Sequence, residues 1–599
     1  MPETFLPPAA RTAGRIVVWV LGLALLFLLF AFGWIAVRGY LAYDHLSSAQ
    51  KQAPAIASDI GDLSAAGEAI DEIARHTAAA RELTSDPLWQ GAEGVAWLGP
   101  QLAAFADAAA AVDDVVTGTV KPIASVADGF GVEAFIPVDG RIDTSVFAAL
   151  AEPATDAAEV AASSRNSVAA IDRTPLVTPV ASAIDQLGDL MAQVASGTDT
   201  LARASRLLPS MLGSDGARNH LLLVQNNAEW RTLGGIVGSM TPVRADDGRL
   251  SLGDQIQARS TTKYPDSILD LGEYGSIYQA KPGRFLQNIT QVPDFRLTAE
   301  LAREFAARED VAVDGVISID PVALSYLLKA TGPVRLPTGD ELTSANAAGF
   351  LLNGVYLTYD DANAQDAVFS GAAAAVFAAL TAGDVDPGAL ITALGRAGTE
   401  HRLYLWSARE QDQVILDGTT LAGAPPADSS DTARFGVYFN DGTGSKMDWY
   451  VTPDVELAWT GCAAGSTPRT ISLTVTLTST APADAASALP PYITGGGAYG
   501  VPAGTARTVG EVYLPEGFEV ASSAITTGRG FSGGMVGDRQ VLSYSIDLKP
   551  GDSQTVTIDV IADTDIQNAE AWVTPTADAD RSPIVRATCA SNDTGVTLG

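Results

Sequence analysis

The chain has 599 residues, too many for one hydrophobic core, so two to four domains are expected. Its formal net charge is -33, and a surface this acidic repels phosphate backbones, which excludes nucleic acid as a partner of the whole molecule. Apolar residues make up 47% but aromatics only 7%, so the apolar content is dominated by small side chains that suit Ala-rich helices and short-residue strands. Arg outnumbers Lys, which with the Ala excess points to GC-rich, actinobacterial-type coding.

Residues 1–15 form a short tail with Arg11 and Arg15, followed by the uncharged run Ile16–Val37. At about 1.5 Å per residue that run crosses a hydrocarbon core about 30 Å thick. Trp19 and Trp34 lie near its ends, where amphipathic rings suit the headgroup zone. A cleaved signal peptide would have a shorter apolar core and a small-residue cleavage site, and Trp34, Val37 and Tyr40 offer none. The segment is therefore expected to be an uncleaved, single-pass anchor in the cell membrane, with a cytoplasmic N-terminus and an extracytoplasmic bulk. No later run is comparable; Ala372–Leu380 is too short.

From 40 to 212 apolar residues recur at helical spacing, as in Ile56, Ile60 and Leu63, or Val112, Val115 and Val116. Breaks are expected at Pro87, Pro100, Pro122, Pro137, Pro153 and Pro175. This predicts a helical stalk or bundle. Across 216–424 strand-like runs (220–224, 236–243, 315–319) alternate with helices expected at 297–308, 321–330, 344–353 and 361–382, which predicts an α/β sandwich head. Asp294 and Asp320 are placed to start two of those helices. Residues 425–430 read as a linker, and alternation in 471–477 and 555–561 predicts a β-sandwich over 431–599. The expected architecture is thus multidomain: a transmembrane helix, an α-helical stalk, an α/β sandwich head and a C-terminal β-sandwich.

Both cysteines, Cys462 and Cys589, fall in the last region, too far apart for a CxxC site. Outside the cytoplasm they would close a disulfide worth about 2–5 kcal/mol; two buried free thiols are the alternative. His45, His76, His220 and His401 form no metal-binding motif in sequence, so neither a metal nor a cofactor is expected. Gly530-Phe-Ser532-Gly-Gly534 matches a nucleophile elbow but lies in a Gly-rich β-region without the helix the elbow needs. Gly495, Gly497 and Gly500 match a dinucleotide fingerprint, again with no helix behind them.

The most unusual segment is 225–235, QNNAEWRTLGG. Asn226, Asn227 and Arg231, with Gly234 and Gly235 allowing close backbone approach, make a candidate anion or ligand site, to which Arg218 could add charge. The bland reading is a turn whose Asn and Arg side chains cap local backbone groups. The charge-balanced stretch 218–308 within an acidic chain fits either.

The segments 221–239, 287–295, 314–334 (DGVISIDPVALSYLLKATGPV), 401–415 and 441–450 resemble the bacterial domain-of-unknown-function 4012 family. The resemblance implies an envelope-associated membrane protein and brings no reaction with it. Segment 314–334 also has a partial resemblance to LytR-CpsA-Psr proteins, which transfer glycopolymers from a polyprenyl-pyrophosphate carrier. The Arg-rich helix of those enzymes has no counterpart here, because 361–369 reads DANAQDAVF. The expected role is a non-catalytic binding or assembly factor whose partner is cell-wall glycan, a lipid-linked carrier or another envelope protein. The alternative is a phosphotransferase-like enzyme in which Arg231, with Arg218, neutralises phosphate while Asp294 or Asp320 holds a divalent metal.

Overall fold

The computed structural model describes residues 8–58, 63–130, 137–258, 262–461, 468–527 and 530–589. It is multidomain, with a helical N-terminal region and a C-terminal part rich in sheets. Two compact units divide it: Met1–Phe135 with Asp143–Pro209, and Ile136–Ile142 with Ser210–Gly599.

The first unit is built on the helix Pro8–Ser58. Its stretch Arg15–Gln52 is long and apolar enough to cross a membrane. Side chains from Ile16 to Phe32, among them Trp19, Phe27 and Phe30, are largely exposed. The character changes at Ile35, which packs with Trp89 and Leu102. Beyond it Ala42 meets Ala80 and Ala109, and Ala49 meets Ile73 and Ala74. Alanine at those crossings lets helices Leu63–Thr84 and Gly99–Val115 approach closely. Arg38 donates to the carbonyls of Leu83 (2.8 Å) and Glu82 (2.7 Å) and pairs with Asp86 (2.9 Å), closing the C-terminus of Leu63–Thr84. Two sequence expectations change here: helix Thr144–Ala169 runs through Pro153, and the helical run from Gly99 continues through a π-turn at Val116–Val120 and past Pro122 to Phe130. The histidines scattered in sequence are not all apart in space, since His45 Nδ1 and His76 Nδ1 lie 2.8 Å from one another.

The second unit carries 18 described strands in four sheets. β1 (Arg218–Arg231), β2 (Gly234–Asp246), β3 (Arg249–Leu252), β4 (Ile256–Gln257) and β5 (Gly315–Ile319) belong to the first. β6 (Val334–Arg335) and β7 (Glu341–Leu342) form a short ribbon, and β8 (Leu403–Ser407) returns to the first sheet. Its order is β3-β2-β1-β5-β8, with β4 also on β2. Within this sheet only β1 and β5 pair in parallel among the described residues. Helices cover both faces: Phe295–Ala307 packs Phe305 with Leu221, Leu223 and Trp406, while Pro321–Thr331 packs Tyr326 with Ala393 and Leu403. The helix expected at 344–353 is observed as a helical stretch from Ala347 to Thr358, broadened by a π-turn at Phe350–Gly354.

β9 (Thr432–Asp441), β10 (Val451–Gly461), β11 (Arg469–Ser479), β12 (Ala506–Tyr513) and β13 (Glu519–Ile525) follow, then β14 (Ser532–Val536), β15 (Arg539–Leu548), β16 (Ser553–Ala562), β17 (Asn568–Val573) and β18 (Ile584–Thr588). They form sheets β10-β11-β16-β13 and β14-β15-β12-β9-β17-β18. One hydrophobic core takes side chains from both, including Phe435, Val437, Ile471, Val475, Ile546 and Val556. Trp230 of β1 and Tyr356 enter that same core. Cys589, at its edge, is disulfide-bonded; Cys462 lies outside the described residues.

Candidate ligand cavity

β1 sets the site. Its alternation turns Leu221 and Leu223 into the core and Leu222 and Val224 towards a cavity of about 970 Å³. Just beyond Val224 the pairing with β2 slips, first at Gln225 and again between Asn226 and Trp230. Those irregularities free the QNN side chains from simple alternation. Gln225 donates to Ser318 Oγ (2.8 Å) and accepts from Gly235 N (2.8 Å). Asn226 donates to the Tyr356 hydroxyl (2.6 Å) and accepts from Ala228 N (3.0 Å). Asn227 donates to Asp320 (3.0 Å) and to the Pro575 carbonyl (3.1 Å). Gly234 has φ +131°, and a Cβ on Gly235 would stand 2.3 Å from the Asn226 backbone. Both glycines therefore serve the tight β1–β2 turn.

Arg231 is 5% exposed and lines the cavity. Its Nε and Nη2 both donate to Asn288 Oδ1 (3.1 and 3.0 Å), Nη1 donates to the Trp230 carbonyl (2.7 Å), and Nη2 lies 3.5 Å from Glu229. The other Glu229 oxygen accepts from Lys446 Nζ (3.1 Å), which sits over the rings of Tyr356 (4.9 Å) and Tyr492 (5.1 Å). The Lys446 pKa is raised: burial pulls it down, but Tyr356 and Glu229 outweigh that and keep the ammonium charged. Asp441 also lines the cavity; burial, reinforced by Glu229, pushes its pKa up to about 6. Asp448, which accepts from Trp230 N (2.8 Å), is pushed well above the carboxylate range by burial and by Asp441.

The opposite wall is apolar. Helix Ala362–Thr381, capped by Asp361, presents Phe369, Ala373, Val376, Phe377 and Leu380 at helical spacing, and Leu324 and Leu327 face the cavity as well. Its adjacent face packs Val368 and Ala372 with Leu328, Leu342 and Leu351. This helix is a second one long and apolar enough to cross a membrane, though Ala372–Leu380 alone reads as too short. Tyr356 joins the two walls, since its ring lies 5.9 Å from Phe369 and 5.5 Å from Tyr492.

Of the residues singled out from sequence, Asn226 and Arg231 line the cavity. Asn227, Gly234 and Gly235 stand behind that wall as hairpin structure. Arg218 is elsewhere, bonded to Ser210 and Asp215. Asp320 reaches the cavity but is engaged by Arg402 (2.8 Å), Asn227 and the backbone N of Ala323 (2.7 Å). Asp294 caps its helix through Leu297 N (3.3 Å), and burial raises its pKa. Sequence reasoning missed Lys446, Glu229, Tyr356 and the amides Gln287, Asn288 and Gln291. All three of those amides fall within the segment 287–295, Glu229 within 221–239 and Lys446 within 441–450, all of which carry the family resemblance. No cluster of three or more metal-ligating side chains occurs among the described residues.

Residues 215–356 match the model of the family described as a protein of unknown function, DUF4012. The segments at 221–239, 287–295 and 314–334 fall inside that match, and those at 401–415 and 441–450 lie beyond it. No curated protein matches the chain.

Proposed function

We propose that this chain is a cell-envelope protein anchored in the membrane by its first helix, with its bulk extracytoplasmic, and that it works by binding rather than by catalysis. In this reading the α/β head and the C-terminal β-sandwich together hold a ligand in the cavity described above. The observation that carries it is the cavity lining, apolar along Ala362–Thr381 and polar along 225–231 and 287–291, joined by Tyr356. Such a lining complements an amphiphile, whose chain gains by leaving water while its head keeps hydrogen bonds.

The membrane part is supported by the exposed apolar band from Ile16 to Phe32, which would be costly to leave in water. The charge bias around the span and the disulfide at Cys589 favour an outside bulk. The transferase reading has less support, because Arg231 already donates to Asn288, Trp230 and Glu229, and Asp320 and Asp294 are engaged as helix caps.

The test is mass spectrometry of lipids retained by the full chain purified from its own membranes, beside Ala373→Trp, which fills the apolar wall. The reading expects an amphiphile with the wild type that is lost from the variant while melting is unchanged. Equal retention by both, or none by the wild type, would sink it.

A further inference from the structure

Resting on that cavity-binding reading, we infer that the polar end of the cavity is a saccharide subsite: it takes the uncharged, hydroxyl-rich head of an amphiphile against Gln287, Asn288 and Gln291.

These three side chains come from one short 3-10 segment, Leu286–Gln291, and all face the cavity. Asn288 spends its carbonyl on Arg231, and its NH2 group makes no hydrogen bond among the described residues. Gln287 is half-buried and likewise unbonded there. Gln291 is 9% exposed, and its buried Oε1 has no hydrogen-bond partner. A buried acceptor without a donor is costly, so a ligand hydroxyl that donates to it once the side chain turns into the cavity relieves that cost. A hydroxyl can donate; an ionised phosphate cannot. Carboxamides, which offer both a donor and an acceptor, match hydroxyls that also do both.

Charge argues the same way. The buried cations at this end are already paired, Arg231 and Lys446 each with one oxygen of Glu229, and Asp441 adds a second carboxylate that interacts with Arg231. Asp441 adds a further acceptor to the lining. An anionic head would have to break the Arg231–Glu229–Lys446 chain or sit beside its carboxylate. Lys263 and Lys281 also line the cavity but are exposed, where water screens them, and half-buried Arg284 donates its Nε to the Tyr264 carbonyl and lies over the Phe285 ring.

Flat apolar faces are present as well. Tyr492 (53% exposed) and Tyr499 (65%) line the cavity with their rings open. Tyr492 is held by Lys446 and Tyr356. Tyr499 lies on Gly444, where a Cβ would stand 2.7 Å from its ring. Tyrosine supplies a large rigid contact surface at small entropic cost, which suits the C–H face of a sugar ring.

The experiment uses the full chain in lipid nanodiscs and an octyl β-D-glucopyranoside bearing a diazirine on its chain. Light-induced adducts are mapped by peptide mass spectrometry, with octyl β-D-glucopyranoside, octyl phosphate and 1-octanol as competitors. Adducts are expected on 362–381, with the glucoside displacing the probe at concentrations at least ten-fold lower than octyl phosphate or octanol. Gln291→Leu and Gln287→Ala should each erase that advantage while leaving displacement by octanol unchanged, which shows the cavity intact. Octyl phosphate competing as well as or better than the glucoside, or an advantage that survives both substitutions, overturns the saccharide assignment and leaves amphiphile binding standing. Absence of adducts on the cavity wall would remove the binding reading itself.

Discussion

At the scale of single residues, the second unit concentrates its risk in buried charge. Asp320 and Arg402 are nearly inaccessible and pair at 2.8 Å, and Arg402 also donates to the carbonyls of Thr576 (2.8 Å) and Asp578 (3.2 Å). Replacing one partner strands the other in a poorly solvated site, so Arg402→Ala should cost about 3–5 kcal/mol. A denaturant midpoint that hardly moves would contradict this. Two buried groups give opposite pH slopes. Burial pushes Glu511 up to about 8, so it stays protonated in the fold while the unfolded chain ionises above its ordinary value of 4.5. Its stability contribution is therefore present below 4.5 and lost as pH rises to 8. Glu511→Gln, which can still accept from Asn440, should be increasingly more stable than wild type from pH 5 to pH 8, by on the order of a few kcal/mol at the upper end. Burial lowers His401 to about 4, so stability falls as pH drops from 6.5 towards 4, where the unfolded chain takes a proton that the fold refuses. Melting curves of wild type and Glu511→Gln across that range separate the two slopes.

At the scale of elements, the β1–β2 hairpin is the piece on which both core and cavity depend. A Cβ at Gly235 would collide with the Asn226 backbone, whereas at Gly238 the nearest neighbour is the Val224 carbonyl oxygen at 3.9 Å. Gly235→Ala should destabilise by about 3 kcal/mol or more, and Gly238→Ala by roughly 0.5 kcal/mol at most. Equal melting temperatures would show that the turn relaxes more freely than its packing implies. This hairpin also shows what sequence could convey. Two Asn, an Arg and two Gly at a strand end stand out in the sequence, because such residues are costly in a plain core. They could not say that Gln225 and Asn227 serve the turn and the Asp320–Arg402 pair while Asn226 and Arg231 face a cavity. Helices beginning at Asp294 and Asp320 were legible from their caps, since capping is local chemistry. Helix Pro387–Thr399 opens on the same Asp–Pro start, at Asp386, which the sequence reading did not use, whereas the π-turn at Phe350–Gly354 has no such local signal. Gln287, Asn288 and Gln291 look like ordinary loop amides until strands and helices distant in sequence enclose them.

At the scale of the whole molecule, the first helix changes character along its length, exposed through Phe32 and packed from Ile35 onward. A chain anchored as proposed should carry an active alkaline phosphatase and a dark green fluorescent protein when either is fused after Gly599. The opposite pattern would reverse the orientation. The central claim remains the cavity, and the most direct measurement is an experimental structure of the full chain taken from its own membranes without delipidation. The account predicts density for an elongated ligand running from Leu324 and Phe377, past Tyr356, to Gln291. A cavity closed by Phe369 and Phe377, or filled by water alone, would contradict it.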